Sequence, residues 1–240
     1  MKKCQALLQE GNPVTDVIYF IGENLPARAL VHPKFGYCFT ATPVVPDGYA
    51  FDSINRDALL NLATVQNNKL VVNGLSYHVL VLREEDSQIS AKVASKLKEF
   101  IAAGLTVVAP KPTGCLSLEE GNSGKQLVLN IADEVWGRID GKTVVENRYG
   151  NGRVCWGKPM EKVLLDLNVE PDIVFDKLIA TETGKPVEIT MNTTEGSNPV
   201  LAGPDRKGWG MQYIHRYGDG YEFYFISNQE YFPVSTDVSF

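Results

Sequence analysis

Three short runs of almost unbroken apolar residues constrain the fold of this chain more than any other feature. They occupy residues 17–21, 77–82 and 105–109. A strand that alternates apolar and polar residues has one buried face, whereas an unbroken apolar run is typical of a strand buried on both faces. Strands of that kind occur mainly in parallel sheets with helices on either side. The sequence therefore predicts a mainly parallel sheet in an α/β fold.

The segments between these runs carry helix signals. Ser90 stands before residues 93–101, whose apolar positions follow helical spacing, and Gly104 closes the segment. A further helix is predicted over residues 125–136. A strand, a helix and a second strand within about thirty residues form a right-handed crossover between parallel strands. We therefore expect an open, doubly wound sheet.

The residue composition and pattern of the sequence change near residue 175. Residues 209–215 and 221–226 are rich in aromatic residues and flank a Gly-Asp-Gly turn, which is typical of an antiparallel hairpin. A second hairpin is predicted from residues 144–145 and 153–156. We divide the chain into an α/β domain at residues 1–175 and a β-rich segment at residues 176–240. The chain opens like the end of a helix and stops within a strand-like run, so we expect either that it is a fragment or that its last strand needs a partner.

Composition argues against two classes of partner. The formal net charge is −6, and the lysines and arginines do not cluster into a basic patch. A nucleic-acid site needs such a patch, so we expect none here. The chain also lacks an apolar run long enough to span a bilayer, and the residues after its charged start do not form a signal peptide. We therefore expect neither a nucleic acid nor a membrane as a partner.

Few residues are candidates for chemistry. Glu23 follows the first buried strand, where open α/β sheets bind ligands, but the alternative that we favour is a surface turn residue or a cap. Cys115 follows the third strand and could be a nucleophile, but the prolines beside it supply no N–H donors and no histidine is paired with it. The acidic runs at residues 84–86 and 119–120 have the character of a solvated surface. The four cysteines lack metal-ligand spacing, so we expect no metal and read them as buried small side chains.

Several segments together carry a resemblance along nearly the whole chain. They lie at residues 4–11, 16–26, 46–55, 74–82, 104–112, 149–154, 213–216 and 225–228. In this order they resemble glycoside hydrolase family 106, the α-L-rhamnosidase-like enzymes. The resemblance implies a class I glutamine amidotransferase-like α/β domain beside a catalytic barrel, followed by a β-sandwich to which residues 176–240 would belong. It also implies that the catalytic glutamates and a calcium ion belong to the barrel.

No segment of this chain matches the barrel, so no catalytic residue and no cofactor is carried over. Cys115 stands where the family tends to have serine, which weakens the nucleophile hypothesis. The leading hypothesis is a non-catalytic accessory domain that braces a barrel of the same or another chain, shapes its cleft or mediates subunit contacts. Its contact with carbohydrate would then be indirect.

Five residues are predicted to contribute to such a role. Glu23, Asn24 and Tyr49 are expected to face the cleft, and Trp209 and Tyr213 could stack on a sugar ring, with core packing of the hairpin as the alternative. Two other functions stay open. One is a stand-alone amidotransferase-like hydrolase that uses Cys115, and the other is a protein-interaction module.

Overall fold

The structure is a computed structural model that describes residues 2–23, 29–30, 41–187, 210–230 and 232–240. Its helices and strands are numbered in chain order. The helices are α1 (Lys2–Leu7), α2 (Arg56–Asn61), α3 (Ala91–Ala102), α4 (Gly121–Val135) and α5 (Met160–Asp166). The strands are β1 (Asn12–Pro13), β2 (Val17–Phe20), β3 (Phe51–Ile54), β4 (Thr64–Gln66), β5 (Lys69–Val72), β6 (Leu75–Tyr77), β7 (Val79–Leu82), β8 (Thr106–Val108), β9 (Glu146–Tyr149), β10 (Gly152–Cys155), β11 (Val174–Phe175), β12 (Ile179–Ala180), β13 (Met211–Gly218), β14 (Tyr221–Asn228), β15 (Val234–Ser235) and β16 (Val238–Ser239).

A six-stranded sheet forms the centre of the fold, in the order β3-β2-β7-β8-β10-β9. The first five strands are parallel, and β9 runs antiparallel at one edge. The first strand of the central sheet along the chain is β2. The next strand, β3, lies on one side of it, and β7, β8 and β10 follow on the other side. The direction of winding therefore reverses between β2 and β7. The prediction of a mainly parallel sheet is confirmed.

The strands are buried on both faces because each face packs against its own apolar layer. In β2, Ile18 and Phe20 belong to the core that includes buried residues of α2, α3 and α4. Val17 and Tyr19 point the other way, into a core that contains buried residues of α5. Since neighbouring residues in a strand point to opposite faces, all four positions must be apolar. This is the physical reason for the unbroken apolar run.

Helix α3 forms as the sequence predicts. The Ser90 hydroxyl accepts a hydrogen bond from the backbone N–H of Val93 at 3.3 Å, which caps the first turn. Leu97 is fully buried in the core that α3 shares with the sheet and α4. Gly104 ends the segment at φ 122°, and a Cβ there would lie 2.1 Å from Asn68 Oδ1. Only glycine fits this close approach.

The hairpin of β9 and β10 begins later than predicted. Its turn at residues 150–151 is confirmed, but Val144 and Val145 lie outside the strand. One Oδ1 atom of Asp140 accepts hydrogen bonds from the backbone N–H groups of residues 142–144 at 2.8–2.9 Å. Because this turn holds the backbone up to residue 144 in a non-extended conformation, the strand starts only after Val145, despite the high β-propensity of the two valines.

The apolar run at residues 77–82 forms two strands. β6 belongs to a small antiparallel sheet with β4 and β5, whereas β7 lies in the central sheet. The break falls at His78, whose N–H and that of Val79 both donate to the carbonyl oxygen of Asp16, at 2.8 and 3.2 Å. One carbonyl before β2 thus fixes where β7 enters the central sheet.

The last part of the chain is antiparallel, as expected. β13 and β14 form a long hairpin, and β1 pairs with the outer edge of β13. β11 pairs with β16, and β12 pairs with β15. Because β1 and β11 come from the first 175 residues, strand pairing crosses the predicted boundary. The division of the chain at residue 175 stays a prediction.

Replacing Leu97 with alanine tests the layer between α3 and the sheet. The substitution leaves a cavity in a fully buried site, so we expect the free energy of unfolding to fall by about 2–4 kcal/mol. Leu127→Ala in α4 is the matched control because this leucine is 45% exposed, and it should change stability by less than about 0.5 kcal/mol. Urea denaturation followed by circular dichroism measures both; equal losses would contradict the core assignment.

Candidate functional site

The carboxyl ends of β2 and β7 are the expected position of a ligand site in this fold. The winding of the sheet reverses there, and open α/β proteins bind ligands at such a point. Gly22 follows β2 with φ 81°, and a Cβ on it would lie 2.5 Å from Asp86 Oδ1. Asp86 belongs to the turn that follows β7. The Asp86 carboxylate therefore lies directly against Gly22, where a side chain would collide with it and the positive φ favours glycine.

A buried ion pair lies in the turn that follows β7. Arg83 Nε donates to Asp86 Oδ2 at 3.0 Å, and both side chains are buried. Burial raises the pKa of Asp86, although the hydrogen bond and positive charge of Arg83 act in the opposite direction. The prediction of a solvated surface at residues 84–86 is wrong for Asp86. A buried carboxylate here is tolerated because it has a partner.

Glu23 occupies the start of α3. Its Oε2 atom accepts a hydrogen bond from the backbone N–H of Ser90 at 2.6 Å, and its Oε1 atom accepts one from Arg56 Nε at 2.6 Å. The side chain is only 9% exposed. Helix N-termini attract negative charge, because their N–H groups have no partner within the helix. Glu23 thus links β2, α2 and α3 as a cap.

A second carboxylate completes this cap. Glu120 Oε2 accepts a hydrogen bond from the backbone N–H of Ala91 at 2.7 Å, and the N–H of Lys92 also bonds to this carboxylate. Burial alone would raise the pKa of Glu120, but these bonds outweigh it and hold the pKa below its usual value. The prediction of a solvated surface at residues 119–120 is wrong for Glu120. With Ser90 Oγ on Val93, the first N–H groups of α3 are all occupied.

Cys115 lies against the same carboxylate. Its Sγ atom is 3.2 Å from Glu120 Oε2, and the thiol donates to the carboxylate. Burial and the hydrogen bond to Glu120 raise the pKa of Cys115. A catalytic thiol needs the opposite shift, which a neighbouring histidine or another positive charge supplies. Of the other cysteines, Cys155 is buried as predicted, whereas Cys4 is exposed and that prediction is wrong; Cys38 lies outside the described residues.

The opposite edge of the sheet holds a second polar group, which we call the amino-edge cluster: Asp16, Asp172, Tyr213 and His215. His215 Nδ1 is 3.4 Å from Asp172 Oδ1, and the imidazole stacks on the ring of Tyr224 with 4.1 Å between centroids. Within the described part of the chain, the buried Tyr213 hydroxyl and both buried imidazole nitrogens have no hydrogen bond of good geometry. Sequence reasoning missed this cluster, because its members are far apart along the chain.

Burial dominates the electrostatics of the amino-edge cluster. It raises the pKa of Asp16 to about 7, and the nearby charge of Asp172 adds to the shift. The same two causes, burial first, raise the pKa of Tyr213. Both shifts favour the neutral forms of the side chains. Asp16 precedes β2 in the central sheet, whereas Tyr213 and His215 lie in the β13–β14 hairpin. The protonation state of Asp16 therefore affects the stability of the contact between the sheet and the hairpin.

The five residues predicted for a site do not form one group. Glu23 lies at the carboxyl edge of the sheet, whereas Tyr49 precedes β3 at the amino edge and donates from its hydroxyl to the carbonyl of Val169 at 3.0 Å. Tyr213 lies in the amino-edge cluster. Asn24 and Trp209 are outside the described residues. The assignments of these residues to a cleft or to sugar stacking stay predictions.

Two further features bear on ligands and membranes. Over the residues that the structure describes, no three side chains of histidine, cysteine, aspartate or glutamate gather closely enough to hold a metal ion. In the same part of the chain, every helix is too short or too polar to cross a membrane.

Comparison with known proteins decides the family. The family model described as alpha-L-rhamnosidase, glycoside hydrolase family 106, matches residues 1–184. The chain belongs to this family. A curated relative, the "Putative beta-glucuronidase" of Formosa agariphila, is 29% identical over 177 residues, which are 72% of this chain and 13% of that protein.

A solved structure is similar in fold. The rhamnosidase of Novosphingobium sp. PP1Y matches 97% of this chain with a TM-score of 0.69 and 24% sequence identity. The match covers 19% of that protein. At this identity the likeness concerns the fold alone. The chain thus spans less than a fifth of the length of either protein.

Replacing Asp16 with asparagine tests the amino-edge cluster. The folded state holds the pKa of Asp16 at about 7, above its value in the unfolded chain, so ionisation costs stability as the pH rises from about 4 to 7. Asp16→Asn removes that cost. We expect the variant to gain about 4 kcal/mol at pH 8 and to match the parent at pH 4. Asp219→Asn, in an exposed turn, is the control; a gain that is independent of pH would contradict this account.

Replacing Glu120 with glutamine tests the cap of α3. The pKa of Glu120 is lowered in the folded state, so its stabilisation is present above about pH 4.3 and is lost as the pH falls through the lower folded pKa. We expect Glu120→Gln to cost about 1 kcal/mol at pH 7 and almost nothing in strong acid. Glu119→Gln, at the exposed neighbour, should be neutral throughout in the same denaturation experiment.

Proposed function

We propose that this chain is a non-catalytic, amidotransferase-like α/β domain of a longer glycoside hydrolase, in which it braces the catalytic barrel and helps to shape the substrate cleft. Membership of family 106 supplies the enzyme class. The small share of each relative that the chain spans supports a role as one part of a larger protein. The contacts at the carboxyl edge of the sheet support a structural role.

The observation that carries the proposal is the filled N-terminus of α3. In an open α/β enzyme, the N–H groups at such a terminus are available to bind an anion or a developing oxyanion. Here Glu23 and Glu120 accept those hydrogen bonds. Two carboxylates of the protein therefore stand where a ligand would bind, and their charge would repel another anion.

These carboxylates also differ from a glycosidase pair. Glycoside hydrolysis uses one carboxyl as an acid with a raised pKa, set across the bond from a second carboxylate. The pKa of Glu120 is lowered, and Glu23 is bound to Arg56 and to the backbone of Ser90. Both side chains thus stabilise the fold. This favours supply of the catalytic acids by the barrel.

The alternative of a stand-alone hydrolase that uses Cys115 is disfavoured. Such an enzyme needs a thiolate, but Cys115 donates its proton to Glu120 and has a raised pKa. The alternative of an interaction module is compatible with a bracing role. We propose that the barrel lies against the carboxyl edge, near Glu23, because the surface there follows the ends of several parallel strands.

The proposal is tested by assaying the 240 residues alone and the product of the complete reading frame that contains them. The isolated chain is expected to release no p-nitrophenol from an aryl α-L-rhamnoside, because the proposal assigns the catalytic acids to the barrel. The longer protein is expected to cleave the substrate. Cys115→Ser should leave the activity of the longer protein unchanged within about twofold. Hydrolysis by the isolated chain, or loss of activity in Cys115→Ser, would overturn the proposal.

A further inference from the structure

The β13–β14 hairpin is closed at its base and has few backbone links to the central sheet. The N–H of Gln229 donates to the carbonyl of Gly210 at 3.0 Å, and the N–H of Gly210 donates to Glu230 Oε1 at 2.6 Å. Among the described strands, β1 alone pairs with the hairpin from outside it, through two residues of β13. The hairpin is thus a unit of its own, and its contact with the central sheet depends on side chains.

The hairpin side of this contact contains an imidazole and a phenol. His215 is 7% exposed, and its Nδ1 and Nε2 atoms lie 3.4 Å from Asp172 Oδ1 and 3.7 Å from Glu222 Oε2. Its ring stacks on Tyr224. The imidazole nitrogens and the buried hydroxyl of Tyr213 have no hydrogen bond of good geometry within the described residues. Because burying such groups without partners is costly, the contact tolerates a further unfavourable charge poorly.

The sheet side of the contact contains two carboxyl groups. Asp16 directly precedes β2 and is 6% exposed, and its Oδ2 atom accepts a long hydrogen bond of 3.4 Å from the N–H of Ala50. Asp172 precedes β11, where its N–H donates to the carbonyl of Gly48 at 2.8 Å. The buried Oδ2 atom of Asp172 has no hydrogen bond in the part of the chain that the structure describes. Both carboxyls therefore face the hairpin with few donors.

The surroundings offer little compensation for a negative charge on Asp16. Burial and the charge of Asp172 raise its pKa to about 7, against weaker opposing effects of a backbone hydrogen bond and of Lys69. Burial lowers the pKa of His78 to about 4, so this imidazole is neutral near pH 7. The other titratable groups that act on the cluster carry no positive charge; they are Asp47, Tyr49, Glu222 and Tyr224. Ionised Asp16 thus places a second negative charge beside Asp172.

Release of the hairpin would leave the apolar core of the α/β part intact. The two apolar layers on the faces of the central sheet contain buried residues of the sheet and of helices α2, α3, α4 and α5. Over the described residues, neither layer includes a side chain from β13 or β14. The hairpin can therefore leave the amino edge without opening a cavity in either layer.

We propose that the amino-edge cluster is a pH-sensitive latch, in which protonated Asp16 holds the β13–β14 hairpin on the central sheet and ionised Asp16 releases it. The proton passes to solvent, and release lets water reach the carboxylates of Asp16 and Asp172. A hydrated aspartate has a pKa of about 3.9, so the docked form binds the proton more tightly than the released form. Docking is therefore strongest below about pH 4 and weakens as the pH rises to about 7.

Hydrogen–deuterium exchange of the 240-residue chain tests the latch. Protection factors, corrected for the intrinsic effect of pH on exchange, are compared at pH 5 and pH 8 for peptides from the hairpin and from β7 and β8 of the central sheet. We expect hairpin protection to fall about tenfold or more between these pH values. The central-sheet peptides should stay about a hundredfold more protected than the hairpin at pH 8, because release is a local opening.

Asp16→Asn is the decisive variant, because asparagine cannot ionise. Its hairpin protection should change less than about threefold between pH 5 and pH 8. Asp219→Asn, in the turn of the same hairpin, makes the same change in net charge and should keep the response of the parent chain. Asp172→Asn removes the negative charge beside Asp16, so it should move the response to lower pH.

Three results would overturn the latch. One is hairpin protection that does not change with pH in the parent chain, a measurement that needs no variant to fold. Another is a full pH response in Asp16→Asn, because a different group would then be titrating. The third is equal protection of the hairpin and the central sheet at pH 8, because Asp16 would then control unfolding of the whole chain. The rhamnoside assay is unaffected by each of these results, so the latch and the accessory role fail separately.

Discussion

The N-terminus of α3 is the point on which the carboxyl edge of the structure depends. Its first N–H groups lie beside the place where the winding of the sheet reverses, and a protein must satisfy them with a ligand, with water or with its own side chains. Here Glu23 arrives from the end of β2 and Glu120 from the start of α4. Through these carboxylates and Arg56, β2, α2 and α4 are all connected to the N-terminus of α3. N–H groups that could bind a ligand are thereby used to stabilise the fold.

The acids at the amino edge of the sheet differ from those at the carboxyl edge in their hydrogen-bond donors. At the carboxyl edge Glu23, Glu120 and Asp86 all have donors, and the pKa of Glu120 falls although burial raises that of Asp86. At the amino edge Asp16 and Asp172 lie close to each other with few donors, and the pKa of both is raised, in each case chiefly by burial. The hairpin with His215 closes over this edge.

Sequence reasoning predicted the elements with strong local signals. The Ser90 cap, the turn at residues 150–151 and the hairpin around Gly220 were all found where expected. It failed where tertiary contacts overrode the local signal. Val144 has high β-propensity but is bound by Asp140, and Glu120 resembles a solvated acid but caps a helix thirty residues away in the chain. No local signal could have revealed the amino-edge cluster, since Asp16 and His215 meet only through the fold.

By itself, the sequence determined the class of the fold and the family. Unbroken apolar runs are typical of strands that are buried on both faces, and this pattern is local, so it can be recognised without coordinates. Only the tertiary structure decided which carboxylates are free for chemistry. Whether a glutamate acts as a catalytic acid, caps a helix or remains a solvated charge depends on the N–H groups and charges within a few ångströms of it. In this protein those groups belong to residues that are distant in sequence.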